Sequence, residues 1–140
     1  MPSLSYQEKS LYGTLVADLV VYIPYFAFVA DHATLNRIVG TVTTLIVVQI
    51  VLQSIIAISS RSRLTDERDR VVEARGYRAG YFALVTGILS AMTLLWMHSI
   101  SGLVNPNHAT IHFINVLFAA LVLAEVVKIV TQLVSYRVGA

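Results

Sequence analysis

Apolar residues fall in four long runs, Leu11–Ala30, Ile38–Ile58, Tyr81–Ile100 and Ile111–Val134, and polar residues gather between them. Each run has at least 20 residues. At a helical rise of about 1.5 Å per residue, that length crosses a hydrocarbon core of roughly 30 Å. The pattern predicts four spanning helices. The second run, which opens Thr41-Val-Thr-Thr-Leu-Ile-Val-Val-Gln-Ile50 and continues to Ile58, is β-branched enough to read as strand in water. In lipid an open strand leaves its backbone unpaired, so the expectation is helix. The first run is longer than the apolar part of a secretory leader. Phe28 also stands where cleavage after Ala30 would need a small residue. It is therefore read as a retained span.

The connections sort the spans into pairs. Residues 31–37 and 101–110 are short links, the second broken by Asn105-Pro106-Asn107. Short links favour antiparallel neighbours, so the expected fold is all-α: an integral membrane four-helix bundle in one domain. Residues 59–80 form the central connection. Thr65 can cap a helix there, Asp66 and Glu67 suit its start, and Asp66 and Arg70 are an i,i+4 pair. This connection is expected to be partly helical, with a helix running through Arg75-Gly76-Tyr77-Arg78 into span 3. Tyr77 and Tyr81 would then lie at the membrane interface.

Composition strengthens this picture. The chain is 56% hydrophobic and 13% charged, about half the charge of an ordinary soluble domain. Residues 61–78 hold six of the ten basic side chains: Arg61, Arg63, Arg68, Arg70, Arg75 and Arg78. Basic residues beside apolar spans mark the cytoplasmic side. Four spans then put both termini in the cytoplasm. Lys9 and Arg137 agree with this, and Arg37 opposes it. A pI near 9.1 does not argue for nucleic acid, because net charge is only +2 and the basic segment carries its own acids. No direct nucleic-acid partner is expected. The absence of cysteine excludes disulfides and thiolate chemistry.

The run Leu64-Thr-Asp-Glu-Arg-Asp-Arg-Val-Val-Glu-Ala-Arg-Gly-Tyr-Arg-Ala-Gly-Tyr81 resembles the central loop of a family of small bacterial and archaeal four-span proteins. Their loop has an Asp-Glu-Arg-Asp run followed by Arg, Gly and Tyr entering the third span. Ser5-Tyr-Gln-Glu-Lys9 resembles their start. The resemblance implies four spans and a bacterial inner membrane, and it implies no activity.

A few polar positions need a reason to be where they are. Asp18 lies seven residues into span 1, roughly 10 Å from its cytoplasmic end. Glu125 and Lys128 lie nine and six residues before Val134, roughly 13 and 9 Å from the same end. Each would cost about 2.5–3.5 kcal/mol facing lipid at mid-bilayer, so pairing inside the bundle is expected, with Asp18–Lys128 the leading pair. Such a pair fixes helix register, or it serves a proton or cation site lined by Tyr22 and Tyr25. Gln49 and Gln53 give span 2 a polar stripe suited to joining helices. Ala79, Ala83, Gly87 and Ala91 recur every four residues and suit close helix packing, within the chain or in a homodimer.

His32, His98, His108 and His112, with Asp31, all fall on the outer side of this topology. Histidine with carboxylate suits zinc, nickel or copper(II), and pH sensing is a second use, but ordinary surface or capping histidines are the favoured reading. No cofactor is otherwise called for. Hydrolase, kinase and P-loop signatures are absent. Three readings stand open. The first is a non-enzymatic interaction, sensor or regulatory protein that docks a cytoplasmic partner through Asp66, Glu67, Arg68, Asp69 and Arg70. The second is a proton-coupled transporter using Asp18, similar in its span-1 carboxylate to small multidrug transporters but matching none of their other motifs. The third is an external metal binder.

Overall fold

All four apolar runs are helical, because a helix alone satisfies an apolar segment's backbone without neighbours. In the computed structural model the helices are α1 (Tyr6–Phe28), α2 (Leu35–Ser59), α3 (Glu67–Ser101) and α4 (Pro106–Val138). The structure describes residues 6–30, 34–59, 67–101 and 106–139. Arg61, Arg63, Thr65 and Asp66 lie outside them, as do Asp31, His32 and Asn105.

Each helix is long and apolar enough to cross a membrane. Only 11–22% of each apolar stretch is buried inside the bundle, so most of its greasy surface faces outward. Val20, Ile23, Ile50, Ile55, Phe82, Leu89 and Trp96 are all exposed. A water-soluble chain of this size does not carry so much contiguous apolar surface. Hydroxyls on these faces are satisfied within their own helices. Thr41, Thr43, Thr44, Ser54, Ser90 and Thr93 each donate to the carbonyl four residues back, at 2.7–2.9 Å. That is how the hydroxyls of the Thr-rich second run sit on an apolar face.

Several boundaries differ from those the sequence predicts: α4 starts at Pro106, five residues before Ile111 and within the expected Asn105-Pro106-Asn107 break, because proline is at home in the first turn of a helix. Span 1 was expected to reach Ala30, but α1 stops at Phe28. The Val29 and Ala30 amides both donate to the Tyr25 carbonyl, at 2.9 and 3.2 Å, and close the helix in a turn. The helix expected to run from the central connection through Arg75-Gly76-Tyr77-Arg78 into span 3 is present: residues 67–80 are helical, and α3 runs unbroken for 35 residues. Glu67 and Asp69 occupy its first turn, where carboxylates favour the helix dipole. Its two weak points as a lone helix, Gly76 and Gly80, are buried against α4.

α4 is the shared element. It lies along most of α3, touches α1 over a shorter stretch and meets α2 least; α1 and α2 pair with each other. The α3–α4 contact is close because α3 presents small residues. A Cβ on Gly76 would run into the Gln132 side chain. One on Gly80 would lie 3.0 Å from the Ala124 carbonyl oxygen, and one on Gly87 2.5 Å from Ala120 Cβ. The packed stripe is therefore Gly76, Gly80, Ala83, Gly87 and Ala91. The strict four-residue stripe began at Ala79; the real one starts a turn earlier and uses Gly80 instead. A helix turns once per 3.6 residues, so a long contact alternates steps of four and three. The stripe is used inside the chain.

Candidate functional site

Polar groups meet at three levels of the bundle. The charged end holds the start of α1, the start of α3 and the end of α4. There Gln7 Nε2 donates to Asp69 Oδ2 at 2.7 Å. The Tyr136 hydroxyl lies 2.6 Å from Gln7 Oε1 and 2.8 Å from Asp69 Oδ1, so its one proton is shared between two acceptors. Arg68 donates to the Tyr136 carbonyl at 3.0 Å and lies over its ring at 6.0 Å. Arg137 donates to the Tyr12 hydroxyl at 2.9 Å. One residue from each of three helices thus closes a ring that fixes the charged start of α3.

Sequence reading grouped Glu67, Arg68, Asp69 and Arg70 as one docking surface, with Asp66, which lies outside the described residues. The structure divides the group. Asp69 turns inward to Tyr136 and Gln7, and Arg68 spends a guanidinium nitrogen on α4. The outward face consists of Glu67, Arg70, Glu73, Arg75 and Arg78. Tyr136→Phe should cost about 1 kcal/mol of stability, the worth of one such hydrogen bond. It should also speed amide exchange across residues 67–75. Denaturant titration and exchange mass spectrometry of the full chain in detergent check both.

The middle level holds Asp18, 1% exposed, on the same buried face of α1 as Tyr22 and Tyr25. Its partner is not Lys128. Gln49 of α2, itself buried, donates its amide Nε2 to Asp18 Oδ1. Lys128 instead pairs with Glu125 on its own helix, at 2.5 Å. Depth placed these groups at one level but could not give their direction around the helix. The Lys128 stem packs over Gly80 and its ammonium lies 5.0 Å from the Tyr77 ring centre, so it faces α3. The ammonium and the Glu125 carboxylate both remain within electrostatic range of Asp18.

The third level lies toward the opposite end. Tyr25 donates its hydroxyl to Asn115 Oδ1 at 2.7 Å, and Asn115 Nδ2 donates to the Ala30 carbonyl at 2.9 Å. A single α4 side chain therefore ties down the end of α1. Phe118 sits just below, edge-on to Tyr22 and Tyr25 at 5.5 and 5.2 Å. Sequence reading missed Asn115, although an amide inside the outer half of span 4 was the available signal.

No group of three or more metal-ligating side chains occurs among the described residues. His112 is exposed and lines a small cavity with Ala91, Leu94, Leu95, Phe113 and Val116. Asp31 and His32 lie outside the described residues, as do the side chains of His98 and His108. A shallow groove of about 500 Å³ runs along α3 and α4 beside Gly87 and Ala120. Neither cavity is lined by Asp18. The arrangement is that of a multi-pass membrane protein with one charged, fixed helical end, and no family model, curated protein or solved structure matches the chain.

Proposed function

We propose that this chain is a bacterial inner-membrane protein with both termini in the cytoplasm, catalysing nothing itself and presenting a charged helical face to a cytoplasmic protein partner. The observation that carries this reading is the rigid start of α3. A loop that merely set orientation would need no order. Here four helical turns of alternating charge continue a spanning helix and are held by the Gln7–Asp69–Tyr136 ring. The outward side chains, Glu67, Arg70, Glu73, Arg75 and Arg78, take no part in that ring. The six arginines of residues 61–78 support the cytoplasmic placement. The likeness of the Leu64–Tyr81 run to bacterial four-span proteins supports the choice of membrane.

A photo-crosslinking residue at exposed Ala74, introduced in growing cells, tests the reading. It should capture one discrete cytoplasmic protein. Reversing Arg70, Glu73 and Arg75 together should abolish that capture while leaving insertion unchanged. Capture that survives reversal, or none from the native sequence, refutes the docking role. Orientation has its own check, since the chain has no cysteine. Ala74→Cys should react with an impermeant thiol reagent only after the inner face is opened.

A further inference from the structure

The hydrogen bond between Asp18 and Gln49 leaves a specific remainder. Gln49 Nε2 reaches Asp18 Oδ1. The other two oxygens of the pair, Asp18 Oδ2 and Gln49 Oε1, are both buried and both lack a hydrogen-bond partner. The side chains carrying them are 1% and 7% exposed. Buried polar atoms without partners are uncommon, because each gives up its hydrogen bonds to water without replacement. Here two of them belong to the two partners of one contact.

Both orphans are acceptors if the carboxyl group is ionised. A carboxylic acid, by contrast, has one donor. A single proton on Asp18 Oδ2 gives that oxygen something to donate, and Gln49 Oε1 is an acceptor in need of a donor. The two side chains then form a reciprocal acid–amide pair, each donating once and accepting once. We infer that Asp18 and Gln49 form a proton-binding site at the α1–α2 contact, occupied as this reciprocal pair.

Other occupants fit less well. A hard divalent cation takes six or more oxygens, and two are on offer. The Lys128 ammonium is engaged by Glu125 on one side and lies against Tyr77 on the other. The titratable groups around the site are few. α4 contributes Glu125 and Lys128, and α1 contributes Tyr22. α2 offers only Arg37, twelve residues or about 18 Å from Gln49 along the helix. α3 comes to this level with Tyr77, Arg78 and Tyr81, through its packing on α4 rather than on α1 or α2.

The chemistry is a single proton transfer. Water supplies the proton to the carboxylate and takes it back, and no other bond forms or breaks. With the proton bound, the α1–α2 contact is neutral and every polar atom of the pair is used. With it gone, both remaining oxygens are buried acceptors without a donor. α1 and α2 must then part, or Lys128 must leave Glu125 for Asp18.

Infrared spectroscopy of the full chain in lipid vesicles tests the site. At pH 7 the native protein should show the carbonyl band of a protonated carboxylic acid, lost in Asp18→Asn. In Gln49→Leu that band should move to higher wavenumber, because the hydrogen bond to the carbonyl is gone. Wild-type chain carrying carbon-13 aspartate reads the same band without any substitution, should a variant fail to insert. Absence of an aspartic-acid band at pH 7 overturns the inference. So does a band indifferent to Gln49→Leu, or one that vanishes on adding sodium at constant pH, which would make a metal cation the occupant.

Discussion

Gly87→Leu should break the α3–α4 contact and cost the bundle more stability than any other single change at its surface. The reason is geometric. Even a methyl group on Gly87 would sit 2.5 Å from Ala120 Cβ, whereas carbon atoms rest at about 3.5–4.0 Å. The obstacle is a short side chain rooted on a helix backbone, so it cannot swing aside, and the helices must separate. Overpacking of this kind costs about 1–3 kcal/mol for a small group, and a leucine goes beyond it. Gly87→Ala should fall within that range. Combining it with Ala120→Gly should restore most of the loss, since the swap moves one methyl across the same contact. Reversible unfolding in mixed micelles measures all three. A double variant no better than Gly87→Ala alone would show that the two residues do not meet. Gly76→Ala is the useful contrast, because the group in its way is the flexible Gln132 side chain.

Asn115→Leu should have the second-largest effect, near 2 kcal/mol. One side chain here serves two helices, accepting from Tyr25 and donating to the Ala30 carbonyl. Leucine fills the space and serves neither. Unpaired groups of this type cost about 1–3 kcal/mol each in proteins, but bonds between spanning helices average nearer 0.6 kcal/mol. Tyr25→Phe removes one of the two bonds and should cost about half as much. The same unfolding assay gives the ordering. If Tyr25→Phe proved as damaging as Asn115→Leu, the clamp on Ala30 would be worth nothing.

The four spans were legible because twenty apolar residues in a row have few alternatives. The small-residue stripe was legible too, but its register was not. Ala79 and Gly80 are neighbours in sequence and equally small; only the position of Lys128 and Ala124 decides that Gly80 faces inward. Asp18 was recognisable as a residue needing a partner, and depth along the helix is a one-dimensional quantity that sequence supplies. The choice between Lys128 and Gln49 depends on rotation about the helix axis. That rotation is set by how α4 lies against α3. The course of α3 through Gly76 and Gly80 was legible, but what steadies it there was not. Glycine in a lone helix is a weakness, and only its tight seat against α4 turns it into an asset.

The unbroken course of α3 has a mechanical corollary. About twelve of its 35 residues, 67–78, precede the apolar stretch, an arm of roughly 18 Å. A swing of about ten degrees in the greasy portion would carry the tip sideways by about 3 Å, close to the width of an atom, given that arm length. A floppy tether would absorb such a swing; a stiff rod delivers it to whatever rests on its end.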